Sequence, residues 1–588
     1  MIRAALLAAT LLATATPEAL ASQERTGTSS PADQRLRELY DADWQWSLSE
    51  YGRLMDEDGE LQRADYLPSV TPEAQARRLA HWKEMLAELD RIPRDALSPD
   101  ERVNAAVFET NLRNAVADAR FREWEMPFNS DSSFWSGLTP RQGFGSAEEY
   151  RRYIGRMRDL PRYFGEQIDN MEAGLDRGFS VPRAVLGGRD ASIEPYTASD
   201  AEENPFWAPF EDMPASIPQE EREALRAAAR DAIEEAVAPA YTDLLAFFRD
   251  EYVPRARTAL AATELPDGRS YYDAQVREYT TLDLSPEEIH RIGLEEVERI
   301  TGEMKEVMRE TGFEGDLQEF IAFLRTDPQF YAETPDELMG VSSYVAKRVD
   351  GEIGDIIGHL PRRRFTILPV PEEIAPFYTA GRGGLGSCLM NTYDLPSRPL
   401  YNIPALTLHE CAPGHSFQAA LAAEQEAGPP FRRYTYFSGY GEGWGLYTEW
   451  LGREMGIYRT PYELFGQLSY EMWRAARLVI DTGVHLYGWS REEAVDYLAE
   501  HTALSEHEVG TEVDRYISWP GQALAYKLGE MTIRRLRREA EEALGPEFDL
   551  AAFHDTILAL GPVPLSVLEA RIDTFIESGG EGPYSYAP

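Results

Sequence analysis

Two cysteines, Cys388 and Cys411, are all that the 588 residues contain. No disulfide framework beyond a single bridge is therefore open to the chain. Basic residues are also scarce: 58 Lys and Arg stand against 101 Asp and Glu, a formal net charge of −43. Phosphate binding needs a basic surface, so nucleic acid is excluded as a partner, and anionic membranes are equally poor ones. Past the first residues no apolar run is long enough to span a bilayer. There is no internal repeat and no Gly-rich phosphate loop. The acidic excess by itself marks no metal site, since most of these carboxylates belong on solvated helix faces.

What is present begins with Met1-Ile2-Arg3, an apolar run from Ala4 to Leu12, and Ala19-Leu20-Ala21, a small-residue cleavage pattern. This reads as a secretory signal peptide over residues 1–21, the competing reading being a buried N-terminal helix. No cysteine follows the run, which argues against a lipid anchor. The mature protein is expected to be exported across the inner membrane to the periplasm, without membrane insertion after cleavage. Residues 22–33 are polar and read as a flexible lead. Residues 34–588 read as a single helical catalytic unit, with an N-terminal lobe to about 270 and a metal-bearing lobe from about 271.

The pattern is helical throughout. Ser98-Pro99-Asp100-Glu101, Ser285-Pro286-Glu287-Glu288 and Ser490-Arg491-Glu492-Glu493 are capping boxes, where Ser and Glu satisfy each other's backbone N–H groups. Apolar residues recur at three and four over Gln219 to Tyr252, Pro286 to Thr311 and Ala523 to Leu544. Residues 186–215 read as a long loop. Arg364 to Val370, parts of Ser387 to Tyr393, and Leu400 to Ile403 read as strands, giving one small sheet.

Chemistry concentrates at residues 409–415, His-Glu-Cys-Ala-Pro-Gly-His. Without Pro413 and Gly414 this is His-Glu-x-x-His, which places two zinc ligands one helical turn apart with a base between them. With them, His409 and His415 point about 120° apart on a regular helix, at about 100° per residue. Pro413 lacks an N–H and Gly414 tolerates unusual torsions, so a two-residue bulge would return both rings to one face. Glu442 and Glu449 follow, two helical turns apart on one face. Catalytic zinc commonly takes two His and one carboxylate, which nominates His409, His415 and Glu442. Glu449 suits the other ring N–H of a ligand histidine. Cys388 and Cys411 could bridge, remain buried thiols, or lend Cys411 to the metal.

The runs at 409–418 and 442–449, with Asp-Thr-Gly-Val-His at 481–485 and Arg-Tyr-Ile-Ser-Trp-Pro-Gly-Gln-Ala-Leu-Ala-Tyr-Lys-Leu-Gly at 515–529, resemble the domain-of-unknown-function 885 (DUF885) family of bacterial proteins. The resemblance is dense from about residue 270 to 580. That family is similar to helical zinc metallopeptidases of the carboxypeptidase Taq and neurolysin types. The resemblance implies a mainly α, two-lobed helical cleft of zincin-like metallopeptidase architecture, one zinc ion, and hydrolysis of peptide or small amide substrates, carboxypeptidase-like or dipeptidase-like. A similar Glu is a zinc ligand in zinc aminopeptidases, which agrees with Glu442.

In this reading Glu410 takes the water proton and returns it to the leaving amine. Oxyanion donors come from His485, Tyr516 and Tyr526. Arg515 holds a substrate carboxylate. Asp481, four before His485, supports it by a hydrogen bond, and Gln418 faces the cleft. Two rivals stay open: a metallohydrolase of non-peptide amides or esters, and a non-catalytic exported peptide-binding protein. The base Glu410 argues against the second.

Overall fold

The computed structural model describes residues 30–584, apart from 57–59, 141–142, 373 and 426–427. The signal-peptide assignment at 1–21 and most of the polar lead lie outside the described residues. The lead ends earlier than expected. Helix Pro31–Glu50 starts behind Ser30, whose side chain accepts from the Asp33 N–H while Asp33 caps Ser30 in return.

Helices make up most of the molecule. Ser285 and Ser490 form complete capping boxes for Pro286–Glu310 and Arg491–His501, whereas Ser98 caps Pro99–Phe121 without the reciprocal bond. The long periodic stretch from Gln219 is interrupted by wide π turns at Ile233–Val237 and Phe248–Tyr252. Each leads into a proline, Pro239 and Pro254, whose missing N–H breaks the regular ladder. Residues 186–215 form a string of short turns, among them Arg189–Ser192, Glu194–Thr197 and Pro205–Trp207. Ile193, Phe206 and Phe210 bury themselves from it, so this loop is packed.

Two sheets are present among the described residues, against an expected one. Strands β1 (Arg53–Met55) and β2 (Leu61–Arg63) form an antiparallel hairpin. Strands β3 (Thr366–Pro369), β4 (Gly381–Gly384) and β5 (Ser387–Met390) lie in the order β3-β5-β4, with β5 parallel to β3 and antiparallel to β4. The sequence signals at 364–370 and 387–393 carry β3 and β5. Strand β4 is mostly glycine, so no β propensity marks it. Leu400 to Ile403 is not a strand: Leu400–Asn402 turn, and Ile403 opens helix Ile403–Glu410, with Pro404 supplying a helical φ in its first turn.

Two large apolar clusters hold the elements together, and both draw on either side of residue 270. One joins Tyr150, Tyr241 and Tyr252 to Ile403, Trp473 and Ile517. The other joins Leu36 and Phe108 to Trp444, Tyr447 and Phe575. Helix Pro461–His485 runs through the interior, with most of its residues buried, and packs along Pro286–Glu310. Behind it the ammonium of Lys527, fully buried, lies 2.9–3.0 Å from Glu296, Glu471 and Glu530. A cleft of about 2170 Å³ opens between the N-terminal helices, represented by Glu101 and Asp118, and a wall bearing His409, Glu442, Arg474 and Tyr526.

Candidate metal centre

Helix Ile403–Glu410 does not bulge; it ends. Cys411 leaves helical torsions, the Ala412–Pro413 bond is cis, and a new helix, His415–Glu424, begins after Gly414. The two histidines therefore sit on successive helices joined by a tight turn, which replaces the bulged single helix expected from the sequence. Pro413 has no N–H to continue the ladder. Gly414 packs so closely that a Cβ there would lie 1.8 Å from the His409 carbonyl oxygen. Trp444 Nε1 donates to the Pro413 carbonyl at 2.8 Å, tying the turn to helix Ser438–Glu454. Cys388 and Cys411 are disulfide-bonded, which fastens β5 to the same turn and removes Cys411 as a thiolate ligand.

This turn brings the His409 and His415 rings to 4.7 Å between centroids. The His415 Nε2 lies 3.1 Å and the His409 Nε2 3.4 Å from the Glu442 Oε2. All three donor atoms fall within 4.8 Å of one another. Ligands about 2.0–2.1 Å from a tetrahedral zinc stand about 3.3 Å apart, so the two-nitrogen, one-oxygen set fits that ion. The other nitrogen of His409, Nδ1, lies 2.7 Å from Glu449 Oε1, which leaves Nε2 to face the cluster. Burial works against an imidazolium at His409, yet hydrogen bonds to Glu442 and Glu449 outweigh it and raise the pKa to about 10. Burial likewise opposes a charged Glu442, but the two histidines hold its carboxyl well below the usual range.

Glu410 lines the cleft beside this cluster, and its Oε2 accepts from the Gly383 N–H of β4 at 2.6 Å. Tyr526 also lines the cleft; its ring lies nearly parallel to that of His409, 6.4 Å between centroids. Arg515 donates to the Tyr526 hydroxyl at 3.2 Å and to Gln522 at 2.9 Å, and lines the cleft as well. Gln418 reaches the lining, 9 % exposed, with its amide nitrogen unpartnered.

Three expected site residues lie elsewhere. His485 is fully buried: its Nδ1 accepts from the Ala262 N–H and its Nε2 donates to the Tyr516 carbonyl, so no ring nitrogen is left for substrate. Burial lowers its pKa to about 3. The Tyr516 hydroxyl accepts from Trp473 Nε1 at 2.8 Å and Arg477 Nε at 2.9 Å inside the core. Asp481 does not bond to His485. It accepts from the Tyr272 hydroxyl at 2.6 Å and from the Gly521 N–H at 3.0 Å, shaping the 519–521 turn. In each case the helical spacing is right, but the face concerned is the core face.

Several contributors escape the sequence patterns. The Tyr436 hydroxyl donates to Glu442 Oε1 at 3.1 Å. Gly445 meets the His409 ring so closely that a Cβ would lie 2.7 Å from its Cε1. Arg474 Nη2 stands 3.3 Å from Glu449 Oε1, and Arg477 lines the cleft near it. A signal for the arginines did exist: two charges three apart in the apolar run Met472 to Ile480 demand buried partners.

A crystal structure of a "putative lipoprotein" from Colwellia psychrerythraea superposes with a TM-score of 0.85 at 27 % identity, covering 93 % of this chain and 100 % of that one. A "putative lipoprotein of unknown function" from Shewanella oneidensis matches with a TM-score of 0.65 at 17 % identity, over 92 % of this chain and 99 % of the other, a likeness of fold alone. No curated protein matches. The model of the family described as "Bacterial protein of unknown function (DUF885)" matches residues 51–572, nearly the whole chain, and the protein belongs to that family.

Proposed function

We propose that the chain is an exported zinc-dependent hydrolase of peptide bonds in small peptides, built as a helical relative of the zincin architecture. The observation that carries this reading is the convergence of His409, His415 and Glu442 next to Glu410 in one large cleft. Bound zinc would polarise the scissile carbonyl and lower the pKa of water towards about 7. Glu449 fixes the His409 ring through Nδ1, and Tyr436 holds the second oxygen of Glu442. Gly383 anchors one oxygen of Glu410, leaving the other to take a proton from water and hand it to the leaving amine. The Tyr526 hydroxyl accepts from Arg515, so its own O–H is free to donate to the carbonyl oxygen as negative charge develops there. Export rests on the N-terminal apolar run and on the lipoprotein description of the Colwellia protein; the periplasm is the compartment proposed.

Metal analysis of the mature protein, combined with a peptide-library digest and a Glu410→Gln control, tests the reading. About one zinc per chain is expected. The variant should keep it and lose at least about 100-fold in turnover, the lower range for a positioned proton transfer. A metal-free protein that cleaves nothing, or near-parental hydrolysis by Glu410→Gln, refutes it.

A further inference from the structure

Helix Pro461–His485 carries Arg474 and Arg477, 4 % and 2 % exposed, through an apolar interior. A third arginine, Arg515, comes from helix Glu506–Ser518, and all three line the cleft that holds the His–Glu cluster. Their partners are incomplete. Arg474 stacks on Trp473 at 4.1 Å and reaches Glu449, which already serves His409. Arg477 donates from Nη2 to Glu512 at 2.7 Å, while Arg515 Nη1 stays 3.7 Å from the same carboxylate. Arg474 Nε, Arg477 Nη1 and Arg515 Nε are buried without any hydrogen-bond partner.

The counter-charges point the same way. Arg398 and Glu508 interact with this group. Asp131 also acts on Arg515, so four guanidiniums face four carboxylates, Glu449, Glu508, Glu512 and Asp131, of which Glu449 is shared with His409. Burial pushes the Glu508 carboxyl above its ordinary range, which weakens it as a counter-charge. Buried guanidinium N–H groups without acceptors, beside counter-charges that are shared or weakened, are unfavourable unless something anionic completes them. Elsewhere the protein is so acidic that an anionic substrate would be repelled.

We infer that this arginine wall binds a carboxylate of the substrate, with Arg515 and Arg477 as the recognising residues. The inference rests on the hydrolase reading and narrows its substrate class. Tyr526 spans the gap between wall and metal ligands: its ring lies 4.4 Å from Arg477 Cζ and 6.4 Å from the His409 ring. An extended chain advances about 3.3–3.6 Å per residue, so a carboxylate at the wall belongs one or two residues from a carbonyl at the His pair. Either a free C-terminus or an acidic side chain beside the scissile bond supplies that group. Arginine suits the task because its planar fork bonds two carboxylate oxygens and stays charged.

The test uses zinc-loaded Glu410→Gln protein, so that ligands are not consumed, and calorimetric binding of three peptides. These are acetyl-Ala-Ala-Phe, its C-terminal amide, and acetyl-Ala-Ala-Asp amide. The free acid should bind at least about tenfold tighter than the Phe amide, the scale of a charge-assisted pair. If the Asp amide matches the free acid, the wall reads a side-chain carboxylate; if it matches the Phe amide, the wall reads the C-terminus. Adding Arg515→Lys or Arg477→Met should shrink the discrimination to threefold or less. Arg477 is stitched into the core, so if its variant fails to fold, the partly exposed Arg515 decides. Equal binding of all three peptides, binding of none, or discrimination that survives Arg515→Lys overturns the inference. Because binding is read without turnover, a free acid that is discriminated here but left uncleaved by the zinc-loaded parent protein would sink the hydrolase reading and spare the subsite.

Discussion

Replacing Gly445 with alanine sets two effects against each other. In a helix interior this change normally adds about 1 kcal/mol of stability. Gly445 lies on helix Ser438–Glu454 between Glu442 and Glu449, facing His409. A methyl there would meet His409 Cε1 at 2.7 Å and Nε2 at 2.8 Å. The first is about 0.8 Å short of the closest comfortable carbon contact, about 3.5 Å. The ring cannot slip aside, because it is 2 % exposed and its Nδ1 is bound to Glu449 on the same helix. Either the imidazole tilts or the helix retreats, and both exceed the roughly 0.5 Å tolerance of a working ligand set. Zinc affinity should fall about 10- to 100-fold, the range for disturbing the support of a ligand. Competition with a chelator measures it. Thermal unfolding of the metal-stripped variant serves as the control and should stay within a few degrees of the parent. Unchanged zinc affinity, with His409 undisplaced, would refute the packing argument.

Two further outcomes follow from buried titratable groups. His485 and His554 are pushed down to about 3 by burial, so the unfolded chain takes up protons that the native state refuses. Their contribution to stability is complete above about 6.5 and drains away as pH falls towards 3. At pH 5 both rings should show neutral-imidazole NMR shifts, and titration of either with a midpoint near 6.5 would exclude this. Lys527→Met should lower the unfolding free energy measured by denaturant by about 3–5 kcal/mol, because three carboxylates lose their shared cation. A loss under about 1 kcal/mol would mean that Arg299, Arg453 and Arg534, which also contact Glu471, suffice.

The His–Glu cluster was legible because its chemistry lives in residue type and spacing. His409 and Glu410 are neighbours, and Glu442 and Glu449 stand two turns apart on one helix; residue type alone related the two pairs. The link to His415 was legible as a requirement but not as a geometry. The motif's residue types say that two rings must meet, while the proline and glycine between them decide whether the helix bulges or breaks. His485 and Tyr516 misled because periodicity identifies a face without saying what covers it, and here the cover is core. Arg474 and Arg477 were readable only as an anomaly of charge within the apolar run Met472 to Ile480. The contacts of Gly383 and Gly445 depend on long-range packing of β4 and of helix Ser438–Glu454, on which local sequence is silent. Leu400–Ile403 was ambiguous for a different reason, since a short apolar run looks alike as a strand or as the lead into a buried helix.

The bridge between Cys388 and Cys411 bears on where the molecule becomes whole. It closes next to Glu410, across 23 positions of sequence, and staples a strand of the sheet to the turn between the two histidine helices. Cytosolic thiols are kept reduced, whereas the compartment outside the inner membrane is oxidising. A copy of the polypeptide still inside the cell would carry the same side chains, yet its histidine turn would be tied to the sheet only through non-covalent contacts, such as those of Ser416 with Ser387 and of Glu410 with Gly383. Under the proposed export, completion of the proposed centre is coupled to departure from the cytoplasm. For a hydrolytic centre, such timing would act as a quarantine.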